Sequence, residues 1–308
     1  MLGYTLTFAL TGLMVALLVA EPLRRSAAGW FFRSNLRPWL LPAIILVLYA
    51  IVTGPVGKWH AQEFSLVGLY FIVPIILMWR SPPRSAQAPK YSGQANPIDA
   101  LLILLIWFPQ EFGVFDGHWV NIGVLRWPLG VFVTVMYILI LLTGWRGIEL
   151  GCPGNLRWVD LGTVGIAYLL LSVIVLPLGI TVGFLLPGMN ENLVSHPGEL
   201  LLTLLGIFFA VAIPEELLFR GWIQNLLLTR LKFVPALVTT AVIFGLSHLD
   251  NRVVTSARTF EVPNWWYAVF ATAAGLAYGY IYQKRRSLFA SALLHTLVDF
   301  TWVLFFRG

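Results

Sequence analysis

Residues 161–186, LGTVGIAYLLLSVIVLPLGITVGFLL, run for 26 positions without an Asp, Glu, Lys or Arg. A hydrocarbon layer of ~30 Å asks for about 20 such residues in a helix rising ~1.5 Å per residue. A helix on the surface of a soluble domain carries a polar stripe, and this stretch has none. Comparable segments lie on both sides of it, at 1–20, 38–55, 64–79, 127–144, 200–230, 234–249, 263–283 and 287–306. A weaker one at 97–109 has only 13 residues and opens with Pro97 and Asp99, which suits a half-span or an interfacial helix. The whole 308-residue chain is 58% hydrophobic and 11% charged, against about 25% charged in ordinary soluble domains. Its mean hydropathy is +0.81. A water-soluble globule is excluded, and the sequence predicts an all-α, polytopic transmembrane helical bundle of about eight to ten helices.

The formal charge of +6 is better placed in membrane loops than on a nucleic acid. With ten spans and the N-terminus outside, 14 Lys and Arg fall on one side and five on the other, with Arg220 inside a helix. That bias fits the positive-inside rule and favours counting 97–109 as a crossing. Residues 1–20 read as a retained first helix, since no basic residue precedes them and no small-residue cleavage site follows. The stretch 80–96, RSPPRSAQAPKYSGQAN, has the composition of a linker, and a softer boundary lies at 145–160. Cys152, the single cysteine, can form no intramolecular disulfide and is assigned no chemistry.

Ionisable residues are costly within a bilayer, about 2.5–3.5 kcal/mol each at mid-helix, so those inside apolar segments are the ones to examine. Of the histidines, His60, His118 and His196 lie in polar loops, which leaves His248 and His295. Among the acids, Glu215, Glu216 and Asp299 are deep in apolar sequence, with Asp99 near an edge as an interfacial or helix N-terminal acid. Arg220 is the one base so placed.

These residues form three patterned groups. In Pro214-Glu215-Glu216-Leu217-Leu218-Phe219-Arg220, the i,i+4 spacing pairs Glu216 with Arg220 and turns Glu215 about 100° away, still available. Phe244 and His248 share a helix face, as do His295 and Asp299. Glu215 lies about 17 residues before a turn near 232 and His248 about 16 after it, so antiparallel packing puts both ~24 Å from that turn. His295 and Asp299 lie about 10 and 14 residues beyond a second turn near 285, on the same side of the membrane.

Four ionisable groups from three helices can thus converge. A carboxylate beside an imidazole suits general-base activation of water next to an amide. The other His and Asp suit an oxyanion site or, with the first pair, the ligand set of Zn²⁺. The zinc-protease HExxH and the GxSxG elbow are both absent, and Ser247 is a poor nucleophile. Pro214 frees a backbone carbonyl and kinks the helix before the glutamates. Gly275 and Gly279 form a GxxxG, which close helix packing explains.

EExxxR, FxxxH and HxxxN/D in this order, each in an apolar helix, resemble the CPBP superfamily of intramembrane proteases, the CAAX-processing, Rce1-like and bacteriocin-processing (ABI) group. The matching residues are Glu215, Glu216 and Arg220, then Phe244 and His248, then His295 and Asp299, within roughly 160–308. The resemblance implies a catalytic helical bundle over 160–308, with 1–159 as transmembrane helices of unknown role. It implies that Glu215 with His248 activates water, that His295 and Asp299 stabilise the oxyanion, and that Glu216, Arg220 and Phe244 support them. Asp299 is a common bacterial variant where prenyl-processing members carry Asn, and the expected location is the bacterial inner membrane, crossed several times.

The expected function is an intramembrane endopeptidase acting on membrane-associated proteins or peptides, with the lipid bilayer and its substrate as partners and no nucleic acid. No cofactor-binding residue is assigned. Zn²⁺ at Glu215, His248, His295 and Asp299 stays open, and with it the choice between glutamate and metallo-endopeptidase. The alternatives are a proton-coupled transporter, which would relay protons through the same groups, and a non-catalytic immunity-type protein that binds a membrane partner.

Overall fold

The computed structural model describes residues 2–53, 60–80, 96–111, 119–122, 125–147, 158–251, 253–254, 259–260 and 262–307. The linker at 80–96 and the boundary at 145–160, with Cys152 and His118, lie mostly or wholly outside them. The chain forms two compact units, residues 1–149 and 150–308.

The first unit contains α1 (Leu2–Val19), α2 (Glu21–Phe31), α3 (Leu40–Thr53), α4 (Ala61–Trp79), α5 (Pro97–Glu111) and α6 (Leu129–Leu141). An antiparallel ladder, β1 (Trp119–Ile122) with β2 (Leu125–Pro128), precedes α6. Helix α6 widens into a π-helical end, Leu142–Arg146, closed by Gly147 at φ 59°. There the missing Cβ matters, because L side chains avoid that conformation. Helix α2 falls outside the apolar segments, since EPLRRSAAGWF carries three charges in 11 residues.

Two arginines of this unit, both assigned to loops in the charge count, lie in helical segments and are buried. Arg24 is buried and donates from Nη1 to the carbonyls of Leu17 (2.8 Å) and Leu18 (3.1 Å), acceptors left over at the end of α1. Arg146 is buried against Asp99 in an ion pair and lies 3.9 Å from the Trp145 ring centroid. Asp99 accepts from the backbone N–H of Asn96 (2.9 Å), and the Asn96 side chain accepts from that of Ile98 (2.9 Å). This is a reciprocal cap at the start of α5. Asp99 is therefore the helix N-terminal acid of that expectation, and a buried anchor as well. A charge in low dielectric needs such a partner.

The second unit contains α7 (Trp158–Thr181), α8 (Glu191–Ser195), α9 (Pro197–Leu227), α10 (Phe233–Leu246), α11 (Trp265–Arg285) and α12 (Leu288–Phe305). Two antiparallel two-residue ladders complete it: β3 (Leu186–Pro187) with β6 (Phe306–Arg307), and β4 (Val253–Val254) with β5 (Thr259–Phe260). All ten apolar segments fold as helices, and α2 and α8 are additional. Among the described residues, α4, α7, α9 and α12 are long and apolar enough to cross a membrane. The protein is an all-α polytopic bundle. On α7, Ile166, Leu169, Leu170, Val173 and Ile174 are exposed, a face suited to lipid.

Local chemistry sets the helix ends around the site. The Asn264 side chain accepts from Tyr267 N–H (3.0 Å) to start α11, and Ser287 accepts from Ala290 N–H (3.2 Å) to start α12. Small residues let α11 approach its neighbours. A Cβ at Gly245 of α10 would lie 2.4 Å from the Ala268 carbonyl oxygen, and one at Gly279 would lie 2.5 Å from Gln224 Oε1. Arg220 and Gln224, one turn apart on α9, donate to the carbonyls of Gly275 and Gly279, one turn apart on α11, each at 3.1 Å. The GxxxG is thus the place where α9 and α11 hydrogen-bond in register. Asp160, buried near the start of α7, pairs with Arg285 at the end of α11.

Candidate active site

Helix α9 carries the two glutamates in an irregular stretch. π-Helical segments at Ile207–Ala212 and Leu217–Gln224 flank Ile213–Glu216. Pro214 has no N–H to return to the preceding turn, and widened turns are one way a helix absorbs that loss. Consecutive side chains of this α-helical turn diverge by about 100°, which sends Glu215 and Glu216 toward different surroundings.

Glu216 is fully buried and is the hub of the site. Its Oε1 accepts from Arg220 Nη1 at 2.9 Å and from His295 Nδ1 at 3.0 Å, and its Oε2 accepts from Ser291 Oγ at 2.5 Å. Arg220, also fully buried, sits 4.6 Å from the Phe244 ring centroid and 5.3 Å from that of Tyr278. The cation therefore has a carboxylate, a carbonyl and two aromatic faces in place of water.

His295 is bracketed by acids. Nδ1 donates to Glu216, while Nε2 lies 3.3 Å from Asp299 Oδ2 and 3.8 Å from Glu215 Oε2. The Glu215 and Asp299 side chains are each 32% exposed. His248 stands on the turn after α10, where its Nδ1 donates to the Phe244 carbonyl at 2.8 Å. That bond leaves the lone pair on Nε2. Ser247 Oγ donates to the same carbonyl at 2.8 Å. Phe244 meets both histidine rings in T-shaped contacts, with centroids 4.7 Å from His248 and 5.8 Å from His295.

A cavity of about 70 Å³ has His248, His295 and Asp299 in its lining together with side chains of α7, α11 and α12. Polar groups and this volume give room for ordered water. Glu215 does not line it, and reaches the group through His295. The four expected residues are thus gathered from α9, the end of α10 and α12, but not into one fully buried point.

Among the described residues no three His, Cys, Asp or Glu side chains are grouped to hold a metal ion. Ser291, Tyr267 and Tyr278 join the site from outside the three motifs. Ser291 was findable, being one turn before His295 on the same face. Nothing in the pattern of α11 marked its tyrosines.

Residues 197–301 match the family model of the Rce1-like proteins, the type II CAAX prenyl endopeptidases. That segment holds every residue of the three motifs, and the match supports a CAAX-type intramembrane protease. No curated protein and no solved structure matches the chain.

Proposed function

We propose that this protein is an intramembrane endopeptidase that hydrolyses peptide bonds of membrane-associated proteins or peptides, using groups held entirely by its second unit. The observation that carries the proposal is the cavity in which His248 and the His295–Asp299 pair meet, with Glu215 3.8 Å from His295. Glu215 and His248 act together as the base: His248 lines the cavity with a lone pair on Nε2, and Glu215, 3.8 Å from His295, supplies the carboxylate that takes the proton as water attacks the carbonyl carbon. His295 is tethered from behind by Glu216. A proton held between its Nε2 and Asp299 is the donor aimed at the developing oxyanion, since an ionised Asp299 has none to give. The proton taken by the base then passes to the leaving amine. A bacterial inner membrane is the proposed location.

The donor geometry favours hydrolysis without zinc, because both ring nitrogens of His295 already face carboxylates. Glu215, His248, His295 and Asp299 would have to regroup to hold a metal.

The test compares cleaved membrane proteins in the native host between wild type and E215Q, with and without a chelator. E215Q should keep its fold and lose cleavage about 10²- to 10⁴-fold, the span of general-base catalysis. Chelator should leave wild-type cleavage unchanged. Identical peptide profiles in wild type and E215Q would overturn the enzyme reading, and activity lost to chelator and restored by Zn²⁺ would reassign the mechanism.

A further inference from the structure

Helix α11 contributes no titratable motif residue, yet it lays one aromatic ring flat against each site histidine. Tyr267 stacks on His248 with centroids 4.9 Å apart and planes at 21°. Tyr278 stacks on His295 at 4.7 Å and 18°. The two tyrosines are 11 residues apart, three turns of one helix, and so share a face. Trp302 of α12 stacks in turn on Tyr267 at 5.2 Å and 28°. With Phe244 between the histidines, six rings run in continuous contact from Trp302 to Tyr278.

A single hydrogen bond to Nδ1 fixes one vertex of an imidazole and leaves the ring free to rotate about it. His248 has that bond to the Phe244 carbonyl, and the plane that decides where Nε2 points needs a second restraint. The flat contact with Tyr267 supplies it, and the Trp302 ring behind keeps Tyr267 from yielding. His295 is held at both nitrogens, by Glu216 on Nδ1 and by Asp299 3.3 Å from Nε2, and Tyr278 lies flat against its face.

We infer that Tyr267 and Tyr278 are positioning residues, whose ring faces set the planes of His248 and His295 so that each Nε2 is aimed. The kinetic consequence rests on the hydrolase reading, and the geometry does not. The hydroxyls are not required, so phenylalanine should substitute and an aliphatic side chain should not.

The test uses the full chain in detergent with isotope-labelled histidine. Protons over an aromatic face are shifted upfield, so Y267L should move the His248 ring resonances downfield and leave those of His295 in place, while Y267F changes neither. Y278L should do the converse. Tyr278 is buried and Tyr267 half-buried, so Y267L is the decisive variant and its melting temperature is recorded alongside. In cleavage assays Y267L should lower kcat about ten- to a hundredfold, the cost of a misaimed group. KM should hold and Y267F should recover most of the rate. Histidine resonances unmoved in Y267L, or Y267F as defective as Y267L, would overturn the inference. Resonances that move as expected in a protein with no cleavage at all would uphold it and sink the hydrolase reading instead.

Discussion

Glu215 and Glu216 are adjacent in sequence and opposite in circumstance, so they separate stability from chemistry. Glu216 satisfies three donors in a fully buried space, and losing its charge strands Arg220. E216Q should cost about 3–5 kcal/mol, the penalty for an uncompensated buried charge. E216M/R220M should recover part of that loss, which denaturant unfolding in detergent would measure. Ser291 Oγ, which also lies 2.9 Å from the Tyr278 carbonyl oxygen, gives Glu216 a hydrogen bond to a charged acceptor, so S291A should cost about 1.5–3 kcal/mol. E215Q, at a site one third exposed, should melt close to wild type while losing cleavage. E216Q as stable as wild type would remove Glu216 from its place as hub. The i,i+4 spacing made the Glu216–Arg220 pair legible in advance. The third donor to Glu216 was not legible, because Ser291 looks like any small helix residue until α12 is docked.

At the scale of elements, α10 and α11 press together at a point where no side chain fits. A Cβ at Gly245 would lie 1.9 Å from Thr272 Oγ1 and 2.4 Å from the Ala268 carbonyl oxygen, whereas one at Gly279 would meet the side-chain ends of Gln224 and Leu237 at 2.5 and 2.6 Å. Side-chain ends can rotate away and a helix carbonyl cannot. G245A should therefore destabilise by about 1–3 kcal/mol, more than G279A, and should also lower cleavage, since Gly245 sits between Phe244 and His248. Equal melting temperatures for the two variants would show that α11 shifts as a whole. The apolar segments announced nearly every helix here, because a bilayer imposes length and hydrophobicity directly on the sequence. Helix α2 is hidden in the sequence for the same reason in reverse: its charges are satisfied by capping α1 and by an Arg25–Glu21 pair, which leaves no apolar run to see. The stacking of α11 on the histidines was equally hidden, since tyrosine is as common at packing positions as at working ones.

Across the second unit, the site and the basic residues occupy opposite ends of the same antiparallel helices. His248 follows the end of α10 and Tyr267 opens α11, while Lys232 precedes α10 and Lys284, Arg285 and Arg286 close α11. If the 14-to-5 excess of Lys and Arg marks the cytoplasmic face, the cavity lies toward the other face, and substrates reach it from there. The chain has a single cysteine, so C152S is a clean background for single-cysteine labelling. In it, K232C and N251C place a thiol at two exposed positions on either side of α10. A membrane-impermeant maleimide should label N251C in intact, right-side-out vesicles and K232C only after inversion. Labelling of both from one side would mean that α10 does not cross. The reverse assignment would put the cavity toward the cytoplasm and make the charge excess a feature of packing, as Arg24 and Arg146 already are in the first unit.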